Sequence, residues 1–172
     1  MQNVHRKNII FIGMPASGKS TAGVVVAKRL GYQFIDTDLL IQEQEKRLLK
    51  EIIAQEGNEG FLKIENQVNR DVQAEHAVIA PGGSVVYCEE AMNHFKKIGV
   101  VVYLKASFET IRTRIGNPRK RGVVLGEGQT LQMLYDERTP LFERYADITI
   151  DEDAIGKEDD MIDYILRVFQ DA

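Results

Sequence analysis

The chain has no tryptophan, only four prolines and a single cysteine, Cys88, among its 172 residues. One thiol excludes an internal disulfide and suits a reducing compartment. No apolar run approaches the length of a membrane span, and the opening segment Met1-Gln2-Asn3-Val4-His5-Arg6-Lys7 carries no apolar signal core. Positive charge is not in excess. Lys and Arg number 22 against 26 Asp and Glu, and the net charge of −4 leaves no global basic field for wrapping nucleic acid. His5, His76 and His94 lack metal-ligand spacing and read as surface or structural, and Cys88 reads as inert. The expectation is a soluble, cytoplasmic, monomeric protein with neither membrane nor nucleic acid among its partners. What is present is a hydrophobic content of 44%, enough for a full core, in a length that fits one domain.

The most informative segment is Gly13-Met14-Pro15-Ala16-Ser17-Gly18-Lys19-Ser20-Thr21, which reads G-x-x-x-x-G-K-S. It follows the strand-like run Lys7 to Ile12 and precedes Thr21 to Leu30, a helical stretch closed by Gly31. Glycines let the backbone curl so that several N–H groups converge, and the helix N-terminus adds partial positive charge. Gly13, Ala16, Ser17, Gly18, Lys19, Ser20 and Thr21 are therefore the candidate cradle for the phosphates of a nucleotide. Lys19 would reach the β- and γ-phosphates, and the Ser20 hydroxyl would ligate Mg²⁺. The competing reading is a glycine-rich turn with an exposed lysine; the strand–loop–helix context disfavours it.

Strand-like and helical segments alternate along the chain. Strands are expected at 32–35, 77–80, 100–104 and 147–150, in addition to the first. Helices are expected from 39 to about 75 with a break near 57–60, at 89–97, from a Ser107 cap to 115, at 130–145 and at 157–169. Residues 116–129 carry four glycines with Pro118, Arg119, Lys120 and Arg121 and have no periodicity, as a mobile lid would. The alternation predicts an α/β fold in three layers, a five-stranded parallel sheet with helices on both faces. On such sheets ligands bind beyond the carboxyl ends of the strands.

That rule gathers the unusual residues. Asp36 and Asp38 follow the second strand; one could hold Mg²⁺ through water and the other could face an acceptor hydroxyl. The alternative is a solvated turn in which Asp38 caps the next helix. Many phosphate-loop NTPases end a strand with a metal-binding aspartate. Here the third strand runs into Pro81, so Asp36 is the better metal candidate. No Asn-Lys-x-Asp pattern occurs, which argues against a GTPase switch. Gly82 and Gly83 either let a ligand approach the backbone or form a simple turn. The basic loop could neutralise phosphates on closure, contact RNA or stay solvated, and the first is favoured. For Arg138, a helix-face ion pair and a binding role stand equal.

Taken together, the phosphate loop, Phe34-Ile35-Asp36-Thr37-Asp38, Gly82-Gly83 and Arg138-Thr139-Pro140-Leu141-Phe142 resemble the shikimate kinase family, in its order from about Asn8 to Ile150. The resemblance implies a phosphate-loop kinase fold with a substrate-binding helical region at about 39–75 and a lid at about 116–129. It implies ATP as co-substrate, Mg²⁺ held by Ser20 and Asp36, and a small hydroxylated acid, shikimate first, as acceptor. Lys19, Asp38 and Arg121 would be catalytic, with Arg121 also on the nucleotide and Arg119 its alternative; Asp38, Gly82, Gly83 and Arg138 would bind substrate. Two positions depart from the family. Leu62 follows Phe61 where the family has an arginine for the shikimate carboxylate, and Pro81 replaces the first of three glycines. A different sugar acid or alcohol, such as gluconate, and a kinase-like module without turnover are the competing functions.

Overall fold

The computed structural model describes residues 8–118, 120–121, 123–155 and 158–170, the side chains of 158–160 and 170 excepted. Its centre is a five-stranded, all-parallel sheet of β1 (Asn8–Ile12), β2 (Gln33–Asp36), β3 (Ala77–Ala80), β4 (Gly99–Lys105) and β5 (Ile148–Asp151), in the order β2-β3-β1-β4-β5. The central strand β1 is buried throughout, yet its side chains still sort by face. Ile10 and Ile12 join one core cluster, with Ile79, Phe95, Tyr103 and Phe142. Ile9 and Phe11 join the other, with Ala22, Val26, Ile165 and Phe169. Period-2 alternation thus feeds two apolar layers, the pattern of a sheet covered on both sides.

The first layer is closed by α4 (Glu89–Ile98), α5 (Phe108–Ile115) and α6 (Leu131–Tyr145), and the second by α1 (Lys19–Leu30) and α8 (Glu158–Gln170). In α8, Met161, Ile162, Ile165, Leu166 and Phe169 recur at helical spacing and meet the sheet. At the opposite edge from the site, Asn8 ties three strands together. Its amide donates to Ala74 O at 2.7 Å and Ile98 O at 3.1 Å, and its oxygen accepts from Ala77 N at 3.0 Å. A buried amide that is fully paired fixes the relative height of β1, β3 and β4.

The region expected as one broken helix over 39–75 is two helices, α2 (Thr37–Glu45) and α3 (Leu49–Arg70). Lys46, in the left-handed region at φ 55°, ends α2, and α3 bends at Gly57, with φ 71° and ψ 178°. The expected break at 57–60 is therefore a one-residue kink at a glycine, where that backbone carries no Cβ penalty. Gly83–Tyr87 forms a 3₁₀ turn and Glu152–Ile155 a short helix, α7, neither of which the sequence signalled. Ser107 does cap α5, its hydroxyl accepting from Thr110 N at 3.2 Å. No described helix is long and apolar enough to cross a membrane. His5 and Lys157 lie outside the described residues.

Strand register brings the chemistry to one edge. Asp36 pairs with Ala80 at the ends of β2 and β3, and Ile12 pairs with Tyr103 beside the phosphate loop. The segments 13–20, 36–38 and 81–84 consequently open onto the same rim.

Candidate active site

The phosphate loop is built from positive-φ backbone: Gly13 at 154°, Ala16 at 65° and Gly18 at 88°. Gly18 precedes α1 in the left-handed region, so the first free amides of that helix turn toward the rim. A Cβ on Gly13 would lie 2.7 Å from Leu104 O and 2.8 Å from Ser17 Oγ. That position therefore requires glycine on both conformational and steric grounds. Ser17 is buried with no hydrogen-bond partner for its hydroxyl, Ser20 is exposed on the cavity wall, and Thr21 is exposed on the first turn of α1. Lys19 folds back over the loop, its Nζ donating to Gly13 O at 2.9 Å and Met14 O at 2.8 Å. Burial lowers its pKa to about 8, against the opposing pull of Asp38.

Across the rim, the two aspartates divide their work. Asp36, not Asp38, is the helix cap: its Oδ1 accepts from Asp38 N at 2.9 Å and Leu39 N at 3.4 Å. Asp38 is left facing the cavity. Its carboxyl is raised to about 6, first by burial and then by Asp36, with Lys19 opposing. The Ser20 hydroxyl and these carboxylates are hard oxygen donors beside an amide cradle, the donor set Mg²⁺ takes when phosphates and water complete its shell.

Gly82 and Gly83 are not needed for a positive-φ turn, since neither adopts one. They are needed because the space is taken. A Cβ on Gly82 would sit 3.0 Å from both Asp38 Oδ1 and Glu65 Oε1; one on Gly83 would sit 2.8 Å from Pro15 Cδ and 3.0 Å from Arg138 Nη1. The Gly83→Ala variant should therefore press Pro15 or Arg138 aside. We expect activity to fall at least about tenfold with the melting temperature changed by only a few degrees. Unchanged steady-state constants would show that the neighbours yield freely.

Arg138 on α6 is 2% exposed, and its Nε has no hydrogen-bond partner. No carboxylate among the described residues forms an ion pair with it; its guanidinium lies 5.3 Å from the Tyr87 ring centroid, and Glu137 instead accepts from the Tyr87 hydroxyl. The helix-face ion pair is thus not formed, and a buried cation faces the cavity. This cavity, of about 590 Å³, is lined by Lys19, Ser20, Asp36, Asp38, Gly82, Gly83, Arg121 and Arg138 among others. Arg121 is exposed and donates to Arg114 O at 3.3 Å; Arg119 lies outside the described residues. The following apolar residues anchor the loop, with Val123 in the core and Leu125 O accepting from Asn58 Nδ2 at 3.2 Å.

The family model for shikimate kinase matches residues 15–170. The shikimate kinase of Moorella thermoacetica is 39% identical over 88% of this chain and 87% of its own, and that of Vibrio parahaemolyticus 34% over 86% and 88%. The chain belongs to the shikimate kinase family. Among solved structures, shikimate kinase from Acinetobacter baumannii in complex with shikimate superimposes with a TM-score of 0.84 at 27% identity, over 96% of this chain and 93% of that one. The Aquifex aeolicus shikimate kinase gives 0.80 at 27%, over 95% and 96%.

Within the shikimate kinase fold, two charged residues beside the site make contacts that the sequence did not signal. Glu65 is fully buried; its Oε2 accepts from Ser84 Oγ at 2.6 Å and its Oε1 has no partner. Burial pushes it up to about 7. Its burial alone was signalled, because Phe61, Glu65, Val68 and Asn69 form the buried stripe of α3, and a carboxylate in a core-facing phase is rarely idle. Arg114, at the end of α5, forms a two-pronged pair with Glu152 and donates to Ala16 O at 3.3 Å. Only folding brings residues 16, 114 and 152 together. Leu62 does not line the cavity. Its side chain packs on the core and borders a separate cleft with Lys63 and Tyr87, and its carbonyl faces Cys88 Sγ at 3.6 Å. Cys88 is buried and held up at about 12, so the expectation of an inert thiol stands.

Proposed function

We propose that this protein transfers the γ-phosphoryl group of ATP to a hydroxyl of shikimate, giving shikimate 3-phosphate. The observation that carries the reading is one cavity lined by a raised carboxyl, Asp38, together with the phosphate-loop Lys19 and the buried Arg138, which has no ion pair among the described residues. Membership in the shikimate kinase family and the likeness to the Acinetobacter enzyme that binds shikimate support it. ATP phosphates would lie on Gly13, Ala16, Ser17, Gly18 and the first turn of α1, where Lys19 exchanges its loop carbonyls for phosphate oxygens. Mg²⁺ held by Ser20, and through water by Asp36, would neutralise charge on the β- and γ-phosphates.

The acceptor would sit with its carboxylate on Arg138 and its hydroxyl toward Asp38, its body against the bare backbone of Gly82 and Gly83. As the hydroxyl oxygen attacks phosphorus, its proton passes to the Asp38 carboxylate and the leaving oxygen of ADP takes the bridging electron pair. Arg121, reaching in from the loop, would stabilise charge on the equatorial oxygens. Lys120 and Arg121 line the cavity, which favours phosphate neutralisation over RNA contact. A cytoplasmic monomer fits the net charge and a cavity assembled from one chain.

The test is ADP release from ATP with a panel containing shikimate, gluconate and other hydroxylated acids. Shikimate should give the fastest turnover, and Lys19→Met should reduce it at least about a thousandfold through lost transition-state charge stabilisation. Turnover with gluconate and none with shikimate would overturn the substrate. ATP binding without turnover on any acceptor would make the chain a nucleotide-binding module.

A further inference from the structure

Five cations line the cavity: Lys19, Lys50, Lys120, Arg121 and Arg138. Lys19 stands on the phosphate loop and Lys120 and Arg121 on the basic loop, all three within reach of nucleotide phosphates in the proposed reaction. Two remain for the acceptor. Arg138 is buried on α6, whereas Lys50 is exposed on the first turn of α3, in a wall shared with Leu49, Ile53 and Phe61.

The neighbourhood leaves the Lys50 ammonium free. Glu51 accepts from Leu48 N at 2.7 Å to close the start of α3, while Arg47 holds Glu45 at 2.8 Å and Glu56 at 3.0 Å. Each of these acids is therefore engaged by another group, and Lys50 forms no hydrogen bond or ion pair with any described residue. No other cation of α3 reaches this wall, since Lys63 borders the separate cleft with Leu62. The cavity also carries two carboxylates, Asp36 and Asp38, and in the proposed reaction the reacting hydroxyl faces Asp38. An acid entering the cavity is thus oriented by charge, with its carboxylate drawn away from Asp38.

We propose that Lys50 is a specificity-determining residue of this protein, supplying from α3 a second positive contact to the acceptor carboxylate that Arg138 holds from α6. The assignment rests on the kinase reading above. A lysine on a flexible stem reaches such a group as a point charge, without the fixed fork of an arginine. Because it works from an exposed position, its contribution is smaller than that of Arg138 and is screened by salt.

The experiment compares wild type, Lys50→Met and Lys50→Arg with shikimate and with the uncharged methyl ester of shikimate. Lys50→Met should raise KM for shikimate about tenfold, the scale of one charge-assisted contact, with kcat and KM for ATP nearly unchanged. Lys50→Arg should restore most of the loss. With the ester, wild type and Lys50→Met should be indistinguishable, and added potassium chloride should raise KM for shikimate more steeply in wild type than in Lys50→Met. An unchanged KM for shikimate, or an equal loss with the ester, overturns the assignment while the wild-type activity stands. If the wild type neither binds nor phosphorylates shikimate, the functional reading fails and this assignment fails with it. Since Lys50 is exposed and unpartnered, all three proteins should melt together, and a clear drop in the Met variant would point to a structural role instead.

Discussion

Asp38→Asn is expected to cut phosphoryl transfer by about 10²- to 10⁴-fold and, at neutral pH, to make the empty protein more stable. The two effects share one cause. Burial, together with the neighbouring Asp36, raises the Asp38 carboxyl from its ordinary value to about 6. The folded state therefore resists ionising this group more than the unfolded chain does. Above pH 6 it is charged in both states, and the folded protein bears a penalty of up to about 3 kcal/mol from a shift of that size. As pH falls through 6 toward the ordinary aspartate value, the folded state takes up the proton first and the penalty disappears. The stabilising effect of asparagine should accordingly be largest above pH 6 and vanish near pH 4. Thermal melts of both proteins across that range test it; an Asn variant less stable at neutral pH would contradict the burial argument.

The loss of turnover follows from the same carboxylate. Asparagine cannot accept the proton of the attacking hydroxyl, and the loss of a general base typically costs about 10²- to 10⁴-fold. ATP affinity should be nearly kept. In the wild type, kcat/KM should fall below pH about 6 as Asp38 is protonated. Measured for ATP, it should fall again above about 8, where the free enzyme's Lys19 loses its charge. Full activity in Asp38→Asn would remove Asp38 from the mechanism.

Arg138→Met should produce the second large effect, a rise in KM for shikimate of roughly two to three orders of magnitude with little loss of fold stability. Truncating one partner of a buried charge pair costs about 2–5 kcal/mol, and here the missing partner is the incoming carboxylate. In the empty protein the balance is different. The guanidinium is 2% exposed with an unpartnered Nε and no ion pair among the described residues, so its burial is only partly compensated, by Tyr87 and the nearby Glu65. Methionine fills a similar volume and keeps a favourable sulfur contact with the Tyr87 ring. Calorimetry with shikimate and a melt of the same sample separate the outcomes. A normal KM, or a collapse in stability matching the loss of binding, would show that Arg138 serves the core.

The layered parallel sheet was legible because its causes are local: short apolar runs, glycine stops and a Ser107 cap can each be read in a window of a few residues. The phosphate loop was legible for the same reason, its amides and Lys19 being contiguous. The α2–α3 boundary was not, since Lys46 ends a helix in a left-handed conformation that its residue type does not announce. The roles of Asp36 and Asp38 were visible only as alternatives, and packing chose the cap.

By itself the sequence determined the fold class, the family and the nucleotide half of the site, all of which depend on residues close together along the chain. For the acceptor half the sequence offered Asp38, Gly82, Gly83 and Arg138 only through the resemblance, and their surroundings depend on the tertiary structure. Lys50 comes from α3, Gly83 from the 3₁₀ turn after β3 and Arg138 from α6, and their burial, charge state and partners are properties of the packed assembly. Leu62 marks the difference. In sequence it looked like a gap in the substrate site, whereas in the fold it packs half-buried against the core, away from the cavity where Lys50 and Arg138 are the cations we assign to the acid.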